Sequence, residues 1–339
     1  MALEMGKILV LGDINLDVVG RLQSPLLIGG DSMSAALELH LGGVGANTAL
    51  ALARWKTSVR LLGSAGRDWF GDFALQTLAR EGVDTAFVAR HPTLPTGLIF
   101  IAVNPDGQRT IFGARGANDE VTLPPDSRYW DGVAALHLVG YTLLTPSGAE
   151  AVRRLLAEAR ERGVWTSLDV GCNPSRQVPQ AILQAAPQLD ILIAAADEAR
   201  SLTGQDDVRS ACEALATAGA RQVVVKMGAN GCWFGDRGEW VNVPAFGIQA
   251  ADTTGAGDVF TAALLRARLR GWSWPEAAVL ANAAGALTAA VVGAEAPAMA
   301  DIVELLQSSR LPAEWDSSRV RVLEELTQEL NRTGSAATA

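Results

Sequence analysis

The sequence predicts an α/β protein built on a mostly parallel central sheet, with a small separate β-sheet beside it as a flap. Three observations carry this. Short apolar runs recur along the chain, helical patterns lie between most of them, and two segments rich in β-prone residues break the alternation. Continuous apolar runs suit strands buried on both faces of a parallel sheet, and strand–helix alternation covers both faces with helices.

KILVLGD (7–13) reads as the first buried strand, and similar runs stand at 59–62, 133–139, 164–169, 190–193 and 221–226. Helical patterns occupy 45–56, 68–82, 147–162 and 206–218. The first interruption spans residues 18–41, where short apolar pieces surround Gly29, Gly30 and Asp31. In the second, 97–113, GLIFIAV and QRTIFG flank Asn104-Pro105-Asp106-Gly107, whose turn chemistry predicts a hairpin. These pieces are expected to pair into a lid that excludes water from a site beneath. From Gly257 onward the pattern is helical, with VFTAALLRARLRGW, PEAAVLANAAGALTAAVVG and DIVELLQ. The final RTGSAATA (332–339) has no apolar period and is expected to be disordered. With no internal repeat and no clear linker, residues 1–331 read as a single domain.

Composition excludes several classes. Apolar residues make up 49% and charged residues 19% of 339, the balance of a folded globular chain. Net charge is −9 and no cluster of basic residues could neutralise successive phosphates, so nucleic acid is not an expected partner. No apolar stretch reaches the ~18–20 residues needed to span a bilayer. MALEMGKILVLGD lacks the features of a secretory signal, which points to a cytoplasmic protein. Cys172, Cys212 and Cys232 form no C-x-x-C pair, and His40, His91 and His137 are widely separated, so buried thiols are expected and a zinc site is not.

The sharpest chemical signal is Asp252-Thr253-Thr254-Gly255-Ala256-Gly257-Asp258, directly before an apolar-periodic helix. Gly255, Ala256 and Gly257 leave backbone N–H groups unobstructed at a helix N-terminus, which attracts an anion. Asp258 then falls in the first turn, beside that cradle, where a carboxylate could take a proton from an attacking hydroxyl. Its ordinary pKa of ~3.9 would keep it ionised at neutral pH. Taken alone, Asp258 reads first as a dipole-complementing residue and Asp252 as the cap of a turn; the whole string is harder to explain that way. A second cluster, Gly42-Gly43-Val44-Gly45-Ala46-Asn47, opens the helix ANTALALARW. It fails as a dinucleotide fingerprint because no acid follows between residues 45 and 67, and no P-loop run exists. Its glycines read either as a tight strand-to-helix turn or as room for a polar ligand, with Asn47 supplying amide hydrogen bonds.

Together GGVGANTALALARW and DTTGAGDVFTAAL resemble the two signatures of the ribokinase-like, or PfkB, carbohydrate kinases, in the same order and about two hundred residues apart. The resemblance covers roughly residues 7–308. It implies a ribokinase-like three-layer sandwich with a β-sheet lid, and ATP-dependent phosphorylation of a hydroxyl on a sugar or sugar-like molecule. It also implies Asp258 as base, and Gly255, Ala256 and Gly257 as anion hole. Asn15, Asp17, Gly42, Gly43 and Asn47 fall at acceptor-binding positions, with Asp13 read as a solvated strand end. Lys226 and Gly228, in VKMGANGC, fall beside the ATP phosphates or ribose, and Asn282 and Gly293 flank the adenine pocket. Magnesium is expected, organised indirectly through Glu198, and some relatives bind potassium near the positions of Asp252 and 288–295. Some relatives also dimerise through the lid. The sequence departs from the family at Ala195, where Asn is common, and at Val44 and Tyr141, where ribokinases proper carry a Lys and an acid. A nucleoside kinase and a catalytically weak sugar-binding sensor remain alternatives on the same fold.

Overall fold

Successive side chains of a strand point to opposite faces, and the first strand, β1 (Lys7–Leu11), shows the consequence. Its Ile8 and Val10 enter one buried cluster, while Leu9 and Leu11 enter another. The computed structural model describes residues 6–336 except Gly107, Arg237 and Val292. After β1 come β2 (Asn15–Leu22), β3 (Ser34–Gly42), α1 (Val44–Arg54), β4 (Val59–Leu62), β5 (Ser64–Gly66), α2 (Trp69–Arg80) and β6 (Ala89–His91). Next are β7 (Gly97–Val103), β8 (Arg109–Ala114), β9 (Val133–Val139), α3 (Pro146–Arg162), β10 (Trp165–Asp169), α4 (Cys172–Gln177) and α5 (Pro179–Ala185). Then follow β11 (Ile191–Ala195), α6 (Ala196–Thr203), α7 (Val208–Thr217), β12 (Gln222–Lys226), β13 (Cys232–Asp236) and β14 (Glu239–Val243). The chain ends in helices α8 (Ala256–Leu269), α9 (Trp274–Ala289), α10 (Met299–Ser308) and α11 (Ala313–Ala336).

The central sheet has the order β14-β13-β12-β11-β10-β9-β1-β4. Every pairing from β4 to β12 is parallel, and β13 and β14 add an antiparallel edge. Residues from α1, α2, α8, α9, α10 and α11 pack with one face of this sheet, and residues from α3, α5, α6 and α7 with the other. The result is the three-layer sandwich expected from the alternation. The Ala-rich α9 packs against α8, and its Gly285 permits close approach: an added Cβ would stand 3.2 Å from the Ala256 carbonyl oxygen.

The lid is a separate sheet of order β3-β2-β7-β8. Its β7–β8 hairpin closes with Asn104 N–H donating to the Gln108 carbonyl and Gln108 N–H to the Asp106 carboxylate, while Gly107 of the predicted turn lies outside the described residues. One expectation needs correction. Residues 332–336 carry the helical backbone of α11, since an established helix propagates without an apolar period of its own; residues 337–339 of that predicted tail lie outside the described residues. Among the described residues, no helix is long and apolar enough to cross a membrane.

Candidate active site

The parallel strands deliver their C-terminal ends to one edge of the sheet, where the lid begins and α8 starts. Gly255 caps α8 in the left-handed region (φ 73°), and an added Cβ would stand 2.3 Å from the Ala294 side chain, so the turn is built for glycine. Ala256 N–H turns back to the Thr253 carbonyl at 3.3 Å. The Gly257 and Asp258 amides lie in the first turn, where the helix itself supplies no acceptor. Lys226 reaches the same place from the end of β12: its Nζ would be 3.4 Å from a Cβ on Gly257. The ammonium is held by Asp169 at 2.7 and 3.0 Å, and Thr261 donates to the same carboxylate at 2.6 Å. Burial opposes the charge of Lys226, but the Asp169 and Glu198 carboxylates outweigh it and hold its pKa above the ordinary value.

Asp258 is half-buried at this junction. Its Oδ2 accepts a 2.8 Å hydrogen bond from Asn47 Nδ2, joining the two glycine clusters across 211 positions of sequence. Burial, aided by the Asp169 and Asp13 charges, pushes its pKa up to about 7 against the pull of the Asn47 bond and Lys226. The carboxylate therefore does not keep the ordinary acidity expected of it; low polarity around it disfavours the charged form.

The lid's first strand brings Asn15 and Asp17 to the neighbouring side. Asn15 is buried, donating to Asp13 at 3.4 Å and accepting from Asn118 at 2.9 Å. Asp17 packs over Gly42, where a Cβ would fall 2.2 Å from its Oδ1, so Gly42 makes room for this carboxylate. That Oδ1 is buried without a hydrogen-bond partner, and burial together with the Asp13 charge raises Asp17 to about 6. Gly43, at φ 95°, would place a Cβ 2.5 Å from the Asp13 carbonyl oxygen. Asp13 is not a solvated strand end. It is buried, its Oδ1 has no partner, and burial lifts its pKa because the lid and the Gly43–Gly45 turn close over it.

A cavity of about 580 Å³ runs from Asp258 and the glycine turn past Lys226, Gly228 and Glu198 to Phe246, Ile248, Asn282 and Ala286. Val44 and Tyr141 also line it. Asn282 is fixed by donating to the Val243 and Pro244 carbonyls at 3.2 and 3.1 Å. Glu198 accepts the Ala195 N–H at 2.7 Å, and burial raises its pKa against the Lys226 charge. Gly293 does not join this group. It lines a smaller cavity of about 290 Å³ beneath the lid, with its N–H donating to Asp252 at 3.1 Å. Asp252 also accepts from the Thr254 amide and hydroxyl and from Arg109 of β8, so both of its oxygens are engaged.

Three contributors escaped the sequence reading. Asp169 had a visible signal, a carboxylate ending an apolar strand run, as Asp13 did. Asn118 had none: its value lies in holding Ile14 N–H, the Ile14 carbonyl and Asn15 across a long loop. Arg109 sits in a strand where only the fold shows it reaching Asp252, Thr253 and Thr254.

A family model described as pfkB family carbohydrate kinase matches residues 5–301. The chain is 32% identical to an ATP-dependent ribose-1-phosphate kinase of Halopiger xanaduensis over 90% of this chain and 99% of that one. It is 29% identical to a deoxyribokinase of Salmonella typhi over 68% of this chain and 76% of that one. Among solved structures, Arabidopsis thaliana ribokinase complexed with ribose and ATP superposes with a TM-score of 0.78 at 26% identity, covering 90% of this chain and 99% of that one.

Proposed function

Because the chain belongs to the pfkB family of carbohydrate kinases, we propose that it transfers the γ-phosphoryl group of ATP to a hydroxyl of a sugar or sugar-like small molecule, with Asp258 as base. The observation that carries this reading is the position of Asp258 between the two glycine clusters, tied to Asn47 and set in the first turn of α8. Asn47 fixes one carboxylate oxygen and leaves the other for the acceptor hydroxyl. The hydroxyl oxygen attacks the γ-phosphorus as its proton passes to Asp258, and the bond to ADP breaks. The Gly257 and Asp258 amides and the Lys226 ammonium are set to meet the charge on the transferred group.

The residues present fit a nucleotide. One end of the larger cavity offers donors and a cation, and the other offers an apolar wall of Phe246, Ile248 and Ala286 beside Asn282. Glu198 is the carboxylate we assign to orienting magnesium-bound water, in keeping with a hard cation that retains much of its hydration; bound there, magnesium would neutralise phosphate charge. Asn15, Asp17 and the space left by Gly42 and Gly43 form the acceptor side. Asp252 clamps the loop before the anion hole, and comparing rates in potassium and sodium tests whether a monovalent cation also acts there. The exposed Leu37 and Leu39 on β3, and Ile111 and Phe112 on β8, lie on the two edge strands of the lid and suit pairing with a second copy, testable by sedimentation.

The deciding experiment is ADP release from ATP and magnesium with a panel of ribose, 2-deoxyribose, fructose and adenosine, together with their phosphorylated counterparts. Acceptor-dependent turnover lost in Asp258→Asn supports the reading. Acceptor binding without turnover would favour a sensor, and turnover confined to adenosine a nucleoside kinase.

A further inference from the structure

We infer, resting on the reading that this chain phosphorylates a hydroxyl, that its acceptor carries an anionic group, a phosphate or a carboxylate, which Arg21 and Arg109 on the inner side of the lid receive. The cavity of about 290 Å³ beneath the lid is the ground for this. Its wall includes Asp17, Val19 and Arg21, alternate residues that share one face of β2, and Arg109 from β8. Four steps along the strand take Asp17 to Arg21, roughly 13 Å between Cα atoms. That span exceeds one sugar ring. An acceptor whose hydroxyls meet Asp17 therefore leaves the Arg21 end of the cavity open to a substituent.

Acids and bases both line this cavity, and the cation at its far end that no acid holds is what an anion would meet. Glu38 is engaged with His40 at 3.2 Å. Asp252 is already satisfied by the Thr254 amide and hydroxyl and the Gly293 amide, so its 3.1 Å contact with Arg109 can be exchanged. Arg21 has no acidic partner among the described residues and is exposed to the cavity. Arg21 then remains for a group that a neutral sugar does not have, and Arg109 joins it when its Asp252 contact is exchanged. Their planar forks match phosphate and carboxylate oxygens in a bidentate fashion. Arg109 also donates to Thr253 and Thr254, just before the anion hole, so an anion bound to it lies against the loop that leads to Asp258.

The test compares kcat/KM for ribose, 2-deoxyribose and adenosine with that for ribose 1-phosphate, ribose 5-phosphate and gluconate, in the parent protein and in Arg21→Gln and Arg109→Gln. The expected result is at least a tenfold preference for an anionic acceptor. Each variant should raise KM for that acceptor by about 10- to 100-fold, the range for hydrogen bonds to charged groups, while KM for ATP stays unchanged. Arg21→Gln is the cleaner variant because it touches none of the residues before the anion hole. Preference for the phosphates or for gluconate supports the inference either way and identifies the anion. If neutral acceptors are preferred and Arg21→Gln changes nothing, the anionic subsite is wrong while the kinase reading stands. No transfer to any acceptor would overturn both.

Discussion

Replacing Asp258 by Asn separates the carboxylate's chemistry from its shape, and the structure gives two independent expectations for it. The first is kinetic. The amide cannot take the hydroxyl proton, so kcat should fall by about 10²- to 10⁴-fold with nucleotide affinity nearly unchanged. With the free carboxyl raised to about 7, kcat/KM of the parent should drop about tenfold for each pH unit below that value. The second expectation is thermodynamic. Below its ordinary value of 3.8 the carboxyl is protonated in both folded and unfolded chains; between 3.8 and about 7 only the folded chain holds the proton. The stability tied to that proton is therefore complete below pH 3.8 and lost as pH rises through 7. The separation corresponds to roughly 4 kcal/mol as an upper bound, and the partial exposure of Asp258 to the cleft brings it to the order of 2 kcal/mol. Asn is neutral throughout. Asp258→Asn should match the parent near pH 4 and exceed its Tm by about a few degrees at pH 8. Kinetics from pH 5.5 to 9 and thermal melts from pH 4 to 8 read both effects. A variant that keeps kcat within tenfold of the parent, or a Tm difference that ignores pH, would refute the assignment.

Other perturbations address the remaining parts of the site. Asp17→Asn should raise KM for the acceptor by the equivalent of about 1–3 kcal/mol while sparing KM for ATP; in the parent, acceptor KM should improve as pH rises through about 6, where Asp17 ionises. If ATP affinity falls instead, the placement of Asp17 on the acceptor side is wrong. Glu198→Gln should lower kcat and shift the dependence of rate on free Mg²⁺, whereas Ala195→Asn should change that dependence modestly because water can replace the missing amide. Identical magnesium titrations for Glu198→Gln and the parent would remove Glu198 from metal organisation. Gly255→Ala forces a left-handed non-glycine residue, costing about 1–2 kcal/mol, and drives its Cβ into Ala294. A lower Tm and a fall in kcat are expected together, and normal values for both would show that the turn tolerates a side chain.

Much of the fold was legible because buried parallel strands announce themselves. The runs at 59–62 and 133–139 coincide with β4 and β9, and those at 164–169, 190–193 and 221–226 fall within two residues of β10, β11 and β12. A strand buried on both faces needs nearly continuous apolar residues, so the signal is strong and local. The antiparallel edge of β13 and β14 was missed because CWFGD and EWVNV are short and carry charges at their ends. Helix α11 was missed for a different reason. Its anchor is long-range: Glu329 accepts from the buried Arg266 at 2.6 Å and from Arg270 at 2.7 Å, partners some sixty residues away in α8 and just beyond it.

The site divides along the same physical line. The place of Gly255, Gly257 and Asp258 at a helix N-terminus could be read directly, because it is a local arrangement of one loop and one turn. Asn47, expected at an acceptor-binding position, donates from Nδ2 to Asp258, which on the proposed reading also orients the base. The acidity of Asp258 is less local still. It depends first on burial and then on Asp169 from β10, Lys226 from β12 and Asp13 after β1, three strand ends that the sheet order gathers at one edge. Sequence shows each of these residues as a polar group closing an apolar run, with nothing to say which others it faces. Once gathered, Asp169, Glu198 and Asp258 act on a single buried ammonium, and burial leaves Asp13, Asp17, Glu198 and Asp258 less acidic than the sequence implies. That excess of carboxylates has a chemical consequence. On the proposed reading, a base that titrates near neutrality can return its proton to solvent after each transfer, whereas an Asp of ordinary acidity would be a weaker acceptor for a hydroxyl proton. Burial first, and then the neighbouring acids, would on that reading fit Asp258 for the reaction, and removing Asp13 should lower the pH at which the rate falls away.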